Sequence, residues 1–273
     1  MAAGSLKVLH IGKYFPPFNG GLENYMRDAM VALARRGIDS IALVHRHTLS
    51  VRSTNETFAA SRHNFHVWRT GLWARFLYTP ISPAFPWHLR CIIRQGKPDL
   101  LHLHMPNASA FWALLLPSAR RIPWVVHWHS DVITAAQGRL MRLFYRLYRP
   151  FEYAVLKHAA IIVATSPPYR DSSSALRIWL HKCQVVPLGV DPERFGTPVG
   201  AVPRSKGTAP ATNRGEAPLV HGLAVGRLTN YKGFRYLVEA AAEVPGIHVN
   251  LVGTGEQEEQ LEALTDSLNI RDR

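Results

Sequence analysis

Two basic side chains follow a short apolar run in the last quarter of the chain. The run covers residues 219–225, Arg227 and Lys232 come directly after it, and an apolar pattern of helical period starts at Phe234. This order predicts a strand, a turn and a helix, and ligands of α/β sheets collect at such turns. Two permanent cations beside the free N–H groups of a helix start suit a phosphate or a diphosphate. The plain alternative is a solvated turn with two surface cations.

A pair of glycines precedes the first predicted helix of the chain. Gly20 and Gly21 come shortly after Pro16 and Pro17, and the helical pattern begins at Leu22. Glycines at this place let backbone N–H groups approach an anion closely, and the helix N-terminus adds positive potential. A tight turn without a ligand is the alternative interpretation.

Histidines occur in pairs at the ends of two predicted strands. His102 and His104 form one pair, His127 and His129 the other, and Asp131 follows the second pair. Within a strand, residues two apart point to the same face of the sheet. Zinc binding is one chemistry for such pairs, but no cysteine or glutamate spacing supports it, so we expect no metal. Partly buried structural histidines are the other alternative.

The cation pair and the glycine pair resemble motifs of one family. Gly226-Arg227-Leu228, followed after three residues by Lys232-Gly233, resembles the donor-diphosphate motif of retaining glycosyltransferases of family 4, which have the GT-B fold. Gly20-Gly21-Leu22-Glu23 is similar to the loop that meets the distal phosphate of the donor in that family.

The same resemblance assigns roles to individual residues. It implies that His129 is the catalytic histidine that contacts the transferred sugar, whereas His127 stands where the family usually has a small polar residue. The implied donor-binding residues are Gly20, Gly21, Arg227, Lys232 and Gly253. Candidates for binding the acceptor or for orienting His129 are Glu23, His104 and Asp131.

The elements that must position these residues form two α/β patterns. A strand at 6–11, a helix at 22–36 and a strand at 38–45 give a βαβ start and a parallel sheet. Together with the resemblance they predict an α/β protein of GT-B type. The expected division is a Rossmann-like N-terminal, acceptor-side domain at 1–195, a linker at 196–218 and a partial Rossmann-like nucleotide-sugar-binding domain at 219–273.

The charge of the chain points to a polyanionic partner. The net charge is +13 and the pI is about 10.2, which favours phosphorylated substrates, anionic lipid or nucleic acid. The stretch 139–157 predicts a basic amphipathic helix, broken at Pro150, whose membrane-facing candidates are Arg142, Arg146 and Arg149. A packed helix with solvated arginines is the alternative, and no nucleic-acid-binding motif is present.

The resemblance also implies an activity. It is the retaining transfer of mannose or a similar hexose from a GDP- or UDP-sugar to a lipid-linked or saccharide acceptor, in surface polysaccharide or glycolipid synthesis, without a cofactor. With two separated cysteines and no signal peptide, we expect a cytoplasmic protein, with peripheral attachment to the inner membrane face as an option. The alternatives are an inactive fragment and a basic membrane- or nucleic-acid-binding protein. Because the second unit shows two strands and lacks the paired-glutamate segment of the family, we expect the 273-residue chain to be inactive.

Overall fold

The computed structural model describes residues 5–60, 63–76, 79–132, 138–189 and 220–273. The chain divides into two compact units, residues 1–195 and 196–273. The predicted linker at 196–218 lies outside the described residues.

The first unit alternates strands and helices. Its strands are β1 (Lys7–Ile11), β2 (Asp39–Leu49), β3 (Thr54–Phe58), β4 (Phe65–Leu72), β5 (Ala74–Phe76), β6 (Thr79–Ile81), β7 (Leu100–Met105), β8 (Trp124–Trp128), β9 (Ile161–Ala164) and β10 (Cys183–Val185). Its helices are α1 (Gly21–Arg35), α2 (Ala84–Gly96), α3 (Trp112–Leu115), α4 (Pro117–Arg120), α5 (Gly138–His158) and α6 (Pro167–Ser172), and a 3₁₀ turn covers Ala108–Phe111.

Eight of these strands form one sheet in the order β10-β9-β8-β7-β1-β2-β4-β3. Neighbouring strands are parallel, except that β3 pairs antiparallel with β4 at one edge. The first strand therefore lies inside the sheet, with β2 on one side and β7 on the other. This doubly wound order is the Rossmann-like arrangement, in which the carboxyl ends of the strands form the ligand edge.

Both faces of the sheet are covered, which is why its strands read as nearly continuous apolar runs. On one face Met26 and Met30 of α1 pack on Ala42 and Val44 of β2. On the other face helices α2 and α5 cover a larger cluster that includes the fully buried Trp124. Full burial of each methionine, valine, leucine, isoleucine or phenylalanine side chain in these clusters contributes about 1.5–3 kcal/mol.

Helix α5 continues through Pro150, so the predicted break at this residue is wrong. Proline removes one backbone donor and crowds the carbonyl of the preceding turn. Pro150 lies on the exposed side of the helix, where water can satisfy the carbonyl that loses its partner. Within the described residues, no helix is both long and apolar enough to cross a bilayer.

The second unit has strands β11 (Val220–Val225) and β12 (Ile247–Val252) and helices α7 (Phe234–Glu243) and α8 (Glu258–Ser267). The two strands pair in parallel, with Val220 opposite Ile247 and Val225 opposite Val252. Its small core consists of Leu228, Phe234, Val238, Leu261 and Ile270.

Candidate active site

The segment between β11 and α7 is held against the loop that follows β12. The N–H of Gly226 donates to the carbonyl of Val252 at 2.9 Å, and the N–H of Leu228 donates to Thr254 at 3.0 Å. A Cβ atom at Gly253 would collide with the carbonyl of Gly226. Glycine is therefore required at Gly253 for the close approach of the two loops, and Gly253 lies beside the backbone next to Arg227.

Arg227 and Lys232 are exposed on this segment. Neither side chain has an ion pair or a hydrogen bond within the described residues, and the Nζ atom of Lys232 lies 5.4 Å from the ring centroid of Tyr231. Gly233 has φ +72° and ends a 3₁₀ turn directly before Phe234, the first residue of α7. Two free cations thus stand beside a helix N-terminus, which is the arrangement that attracts a phosphate.

In the first unit the carboxylate of Glu23 lies at the N-terminus of α1. Gly20 is the N-cap residue, and its carbonyl accepts from the N–H of Asn24 at 3.0 Å. The Glu23 carboxylate occupies the place that a Cβ atom at position 20 would need, and Glu23 is only 7% exposed. Burial raises the pKa of Glu23, against a bond from its own backbone N–H and the charge of Lys13. A Cβ atom at Gly21 would have no atom of the described residues within 4 Å.

His129 lies at the carboxyl end of β8, and its partner is another histidine. Its Nε2 atom is 3.0 Å from Nδ1 of His104, whose Nε2 atom is in turn 3.2 Å from Nδ1 of His10. The ring of Tyr25 on α1 packs edge-on against His129, with the ring centroids 5.3 Å apart. The chain of hydrogen bonds from His10 through His104 therefore fixes the orientation of His129.

The buried histidines are neutral near pH 7. Burial, and secondly the charge of His127, lowers the pKa of His129 to about 3 and that of His10 to about 3. The pKa of His104 is well below its ordinary value for the same main reason, with contributions from the neighbouring histidines. A neutral His129 can donate or accept one hydrogen bond at each nitrogen, but it brings no permanent positive charge.

Asp131 accepts hydrogen bonds from three side chains that do not include His129. Its Oδ1 atom accepts from Nε1 of Trp128 at 2.7 Å, from the hydroxyl of Tyr169 at 2.9 Å and from the hydroxyl of Ser173 at 2.7 Å. These bonds join the end of β8 to α6 and to the loop after it. Of the three residues predicted to bind acceptor or to orient His129, only His104 contacts that ring in the described structure.

The sequence interpretation missed His10, Tyr25 and a polar group beside a pocket. His45 is buried, and its Nε2 and Nδ1 atoms lie 2.6 Å from the Ser109 hydroxyl and 3.1 Å from the Thr70 hydroxyl. His45 and Ser109 line an open pocket of ≈ 370 Å³ whose wall includes Trp112. His10 is a histidine near the end of the first strand, and that position was the one signal that could have included it.

The membrane-facing candidates lie on the exposed part of α5. Arg142, Arg146 and Arg149 are all exposed. Beside them runs an exposed apolar stripe with helical spacing, formed by Leu140, Leu143, Leu147 and Phe151. The opposite side of α5 packs in the core through residues such as Val155 and Leu156.

The doubly wound sheet of the first unit and the strand–turn–helix of the second fit the GT-B class of fold. The model of the glycosyl transferase 4-like domain matches residues 20–189, so the chain belongs to that family. The match covers most of the first unit, including α1, the histidine pairs and α5.

Curated relatives extend the similarity into the second unit. The chain is 28% identical over 260 residues to O-antigen chain mannosyltransferase C of Escherichia coli, covering 94% of this chain and 63% of that protein. It is 27% identical over 264 residues to the lipopolysaccharide core biosynthesis glycosyltransferase LpsE of Rhizobium meliloti (strain 1021), covering 97% and 64%. The chain therefore spans less than two thirds of the length of these relatives.

Solved structures share the fold at low sequence identity. Anabaena Alr3699/HepE in complex with UDP and glucose superposes with a TM-score of 0.58 at 17% identity, covering 98% of this chain and 68% of that one. The predicted α/β architecture of GT-B type is confirmed.

Proposed function

We propose that the protein takes part in the transfer of a hexose from a nucleotide-sugar donor to a saccharide or lipid-linked acceptor, with retention, in the synthesis of lipopolysaccharide or a related surface glycan. The family and the two curated relatives support the class of reaction and of acceptor. The observation that carries the proposal is the motif of the second unit, where Arg227 and Lys232 lie beside the N-terminus of α7 and Gly253 and have no ion pair or hydrogen bond within the described residues. No cofactor is needed for this chemistry.

The leaving group explains why cations are needed at this motif. When the bond between the anomeric carbon and the phosphate oxygen breaks, that oxygen keeps the electron pair and the diphosphate gains negative charge. Arg227 and Lys232 would stabilise that charge more strongly in the transition state than in the bound donor, which lowers the barrier. Because the two side chains are free in the described structure, no ion pair must break before they bind.

His129 would act at the sugar through hydrogen bonding. The bond between its Nε2 atom and His104 leaves its Nδ1 atom available for a ligand. A neutral imidazole held by buried neighbours offers a fixed polar contact to a sugar hydroxyl or to the anomeric centre. Such orientation is expected to change turnover more than nucleotide affinity.

Nucleotide affinity tests the diphosphate assignment. The affinity of the full chain for GDP and UDP is measured by calorimetry, and the melting temperature is followed with each nucleotide. Arg227→Ala or Lys232→Ala should each weaken the better ligand about 30-fold, which corresponds to about 2 kcal/mol for a charge-assisted contact. The matched control is Arg271→Ala, which removes the same charge from an exposed position in the same unit.

Comparison with the control distinguishes a specific effect of Arg227 and Lys232 from an effect of net charge. An equal loss of affinity in the Arg271→Ala variant would assign the effect to net charge. Unchanged affinity in both motif variants, with measurable binding by the parent, would refute the phosphate assignment.

A second proposal is that α5 attaches the first unit to an anionic membrane surface. The exposed stripe contains Leu140 at 59%, Leu143 at 55% and Leu147 at 66% exposure, next to the row of arginines. An amphipathic helix with this division inserts its apolar stripe at the lipid boundary while the cations meet anionic headgroups. This would place the protein at the cytoplasmic face of the membrane, close to a lipid-linked acceptor.

Vesicle sedimentation tests this attachment. Changing Arg142, Arg146 and Arg149 to Glu should abolish binding to vesicles containing phosphatidylglycerol, because each cation near the surface contributes about 1 kcal/mol. The control changes Arg94, Arg120 and Arg121 to Glu; these residues are exposed and lie outside α5, and the net charge changes equally. Equal binding by both variants, or equal loss in both, would refute a specific role of α5.

A further inference from the structure

Five histidine side chains meet on one face of the sheet in the first unit. We call them the histidine face: His10 on β1, His102 and His104 on β7, His127 at the end of β8 and His129 directly after it. The parallel register places His10 opposite His102 and His104 opposite His127. These imidazoles lie on the side of the sheet that α1 covers, beside the apolar residues that β2 presents there.

Three members form a compact inner group, namely His10, His102 and His104. Their ring centroids lie 4.9 Å apart for His10 and His102, 4.4 Å for His102 and His104, and 5.6 Å for His10 and His104. One nitrogen from each ring lies within 4.8 Å of the other two. In a tetrahedral zinc site with Zn–N bonds of about 2.0–2.1 Å, neighbouring ligand nitrogens are about 3.3 Å apart. His10 Nδ1 and His104 Nε2, at 3.2 Å, already have this spacing.

The inner group also contains a buried nitrogen atom without a partner that faces the other two rings. Nε2 of His102 is buried and has no hydrogen bond within the described residues; Nε2 of His10 is in the same state, but His10 would bind the ion through Nδ1. His10 and His104 are completely inaccessible to solvent. A buried polar atom without a partner is costly, and native structures usually explain one by a water or an ion.

The ligand chemistry of the group suits a metal ion. Metal ions bind the neutral form of imidazole through the lone pair of a ring nitrogen. A ligand set made only of imidazole nitrogens favours zinc, copper or nickel over magnesium and calcium, which prefer oxygen.

We propose that His10, His102 and His104 bind one late first-row divalent metal ion, of which Zn²⁺ is the chemically preferred example. The ion would take three nitrogen ligands and leave one position for water or another small ligand. This site is separate from the donor motif of the second unit and does not depend on the proposed transfer reaction.

The bond between His104 and His129 favours the inner group over the alternative trio of His104, His127 and His129. With the metal on Nε2 of His104, its Nδ1–H would donate to Nε2 of His129, which is the usual outer bond of a metal-bound histidine. In the alternative trio, Nε2 of His127 is also buried without a partner, but Nε2 of His129 is already used by His104 and Nδ1 of His127 lies 3.4 Å from the Tyr25 hydroxyl. In the inner group the ion would replace the contact between His10 and His104, and Nε2 of His102 has no hydrogen bond to give up within the described residues.

Metal titration of the tag-free full chain tests the proposal. The chain is treated with a chelator, dialysed, and titrated with Zn²⁺ in competition with a chromophoric chelator, and with Co²⁺ while the visible spectrum is recorded. The expected result is one ion per chain and a Co²⁺ spectrum typical of tetrahedral coordination. His102→Ala should weaken Zn²⁺ binding by about 100-fold or more, since even the loss of an outer-shell partner costs about 10–100-fold.

His127→Ala is the matched control because it removes a histidine of the alternative trio and leaves the inner group complete. We expect its Zn²⁺ affinity to stay within about threefold of the parent, a difference smaller than that for an outer-shell partner. A strong loss in His127→Ala with no loss in His102→Ala would overturn the proposal in favour of the other trio. Absence of stoichiometric binding by the parent, or several weak sites unchanged by both variants, would also overturn it.

If the His102→Ala chain does not fold, the variant His102→Cys provides the test instead. His102→Cys supplies a thiolate ligand at the same position and should restore binding, with a new sulfur-to-cobalt charge-transfer band in the Co²⁺ complex. A folded His102→Cys chain that binds Co²⁺ without this band would show that position 102 is not a ligand.

Discussion

The histidine face predicts that the first unit loses stability when the pH falls from 7 to 5. Burial lowers the pKa of His10, His129 and the separate His45 to about 3, and that of His127 to about 4, from 6.5 in the unfolded chain. At a pH between the folded and the unfolded pKa values, the unfolded chain binds more protons than the folded chain does. The free energy of unfolding therefore falls as the pH drops below about 6.5.

The magnitude follows from the size of the shifts. At pH 5 each of these four histidines costs about 2 kcal/mol of folding free energy relative to pH 7, because the unfolded form is then mostly protonated. Glu152 acts in the opposite sense, since burial raises its pKa to about 7. Between pH 7 and pH 5 the folded chain protonates Glu152 more readily than the unfolded chain does, which raises the free energy of unfolding by about 2 kcal/mol. These five groups together give a loss of about 6 kcal/mol, which is comparable to the whole stability of an ordinary domain. The lowered pKa values of His102 and His104 add to this loss, and the raised pKa of Glu23 reduces it.

Urea denaturation at pH 7, 6 and 5 measures this loss, at constant ionic strength and with a chelator present so that metal release does not contribute. His127→Asn removes one of the four groups and should reduce the pH dependence by about one proton. The exposed His221→Asn is the matched control and should leave it unchanged. A stability that stays constant between pH 7 and 5, or an equal effect of both substitutions, would refute the argument that the buried histidines stay neutral.

Two further predictions concern the candidate active site. In a form of the protein that has measurable transfer activity, His129→Ala should lower turnover at least about 100-fold while GDP or UDP affinity stays within a factor of about two, because nucleotide and sugar contacts are separable. Equal losses in both, measured by transfer assay and calorimetry, would make it a structural histidine. Gly253→Ala should weaken nucleotide binding and lower the free energy of unfolding of the second unit by about 2 kcal/mol or more, because the new Cβ atom would overlap the Gly226 carbonyl. The second unit should therefore unfold at a lower temperature. Gly222→Ala is the control, because a Cβ atom there meets neighbours only at 3.6 Å, and a similar effect of both changes in a thermal melt would contradict this reasoning.

Local patterns predicted the parts of the fold that depend on period and turns. The strand at β1, the helix α1 and the strand β2 follow directly from apolar spacing, and so does the turn that carries Arg227. The same-face pairing of His102 with His104 needed only the twofold period of a strand. Helix α5 was predicted too, but not its continuation through Pro150, which depends on the exposure of that residue to water.

Interactions between distant residues account for what the sequence could not predict. His10 joins the histidine face only because the topology places β1 beside β7. His10 and His104 are 94 positions apart in the sequence. Two of the three donors to Asp131 come from residues 38 and 42 positions later. Such contacts follow from the strand order, which no local pattern determines.

The last prediction concerns the carboxylate at the start of α1. A donor phosphate near Gly20 and Gly21 would compete with Glu23 for the free N–H groups of the same helix, since that carboxylate now lies against Gly20. Glu23→Gln keeps the size and the hydrogen-bonding capacity of the side chain but removes its negative charge. A single charge at a helix N-terminus changes stability by about 0.3–1 kcal/mol, so nucleotide affinity should rise up to about fivefold, as measured by calorimetry at pH 8. Glu239→Gln, which neutralises a carboxylate in the second unit, is the control for net charge. If Glu23→Gln instead weakens binding while the melting temperature is unchanged, the carboxylate contacts the donor or the acceptor directly, and the competition argued here does not exist.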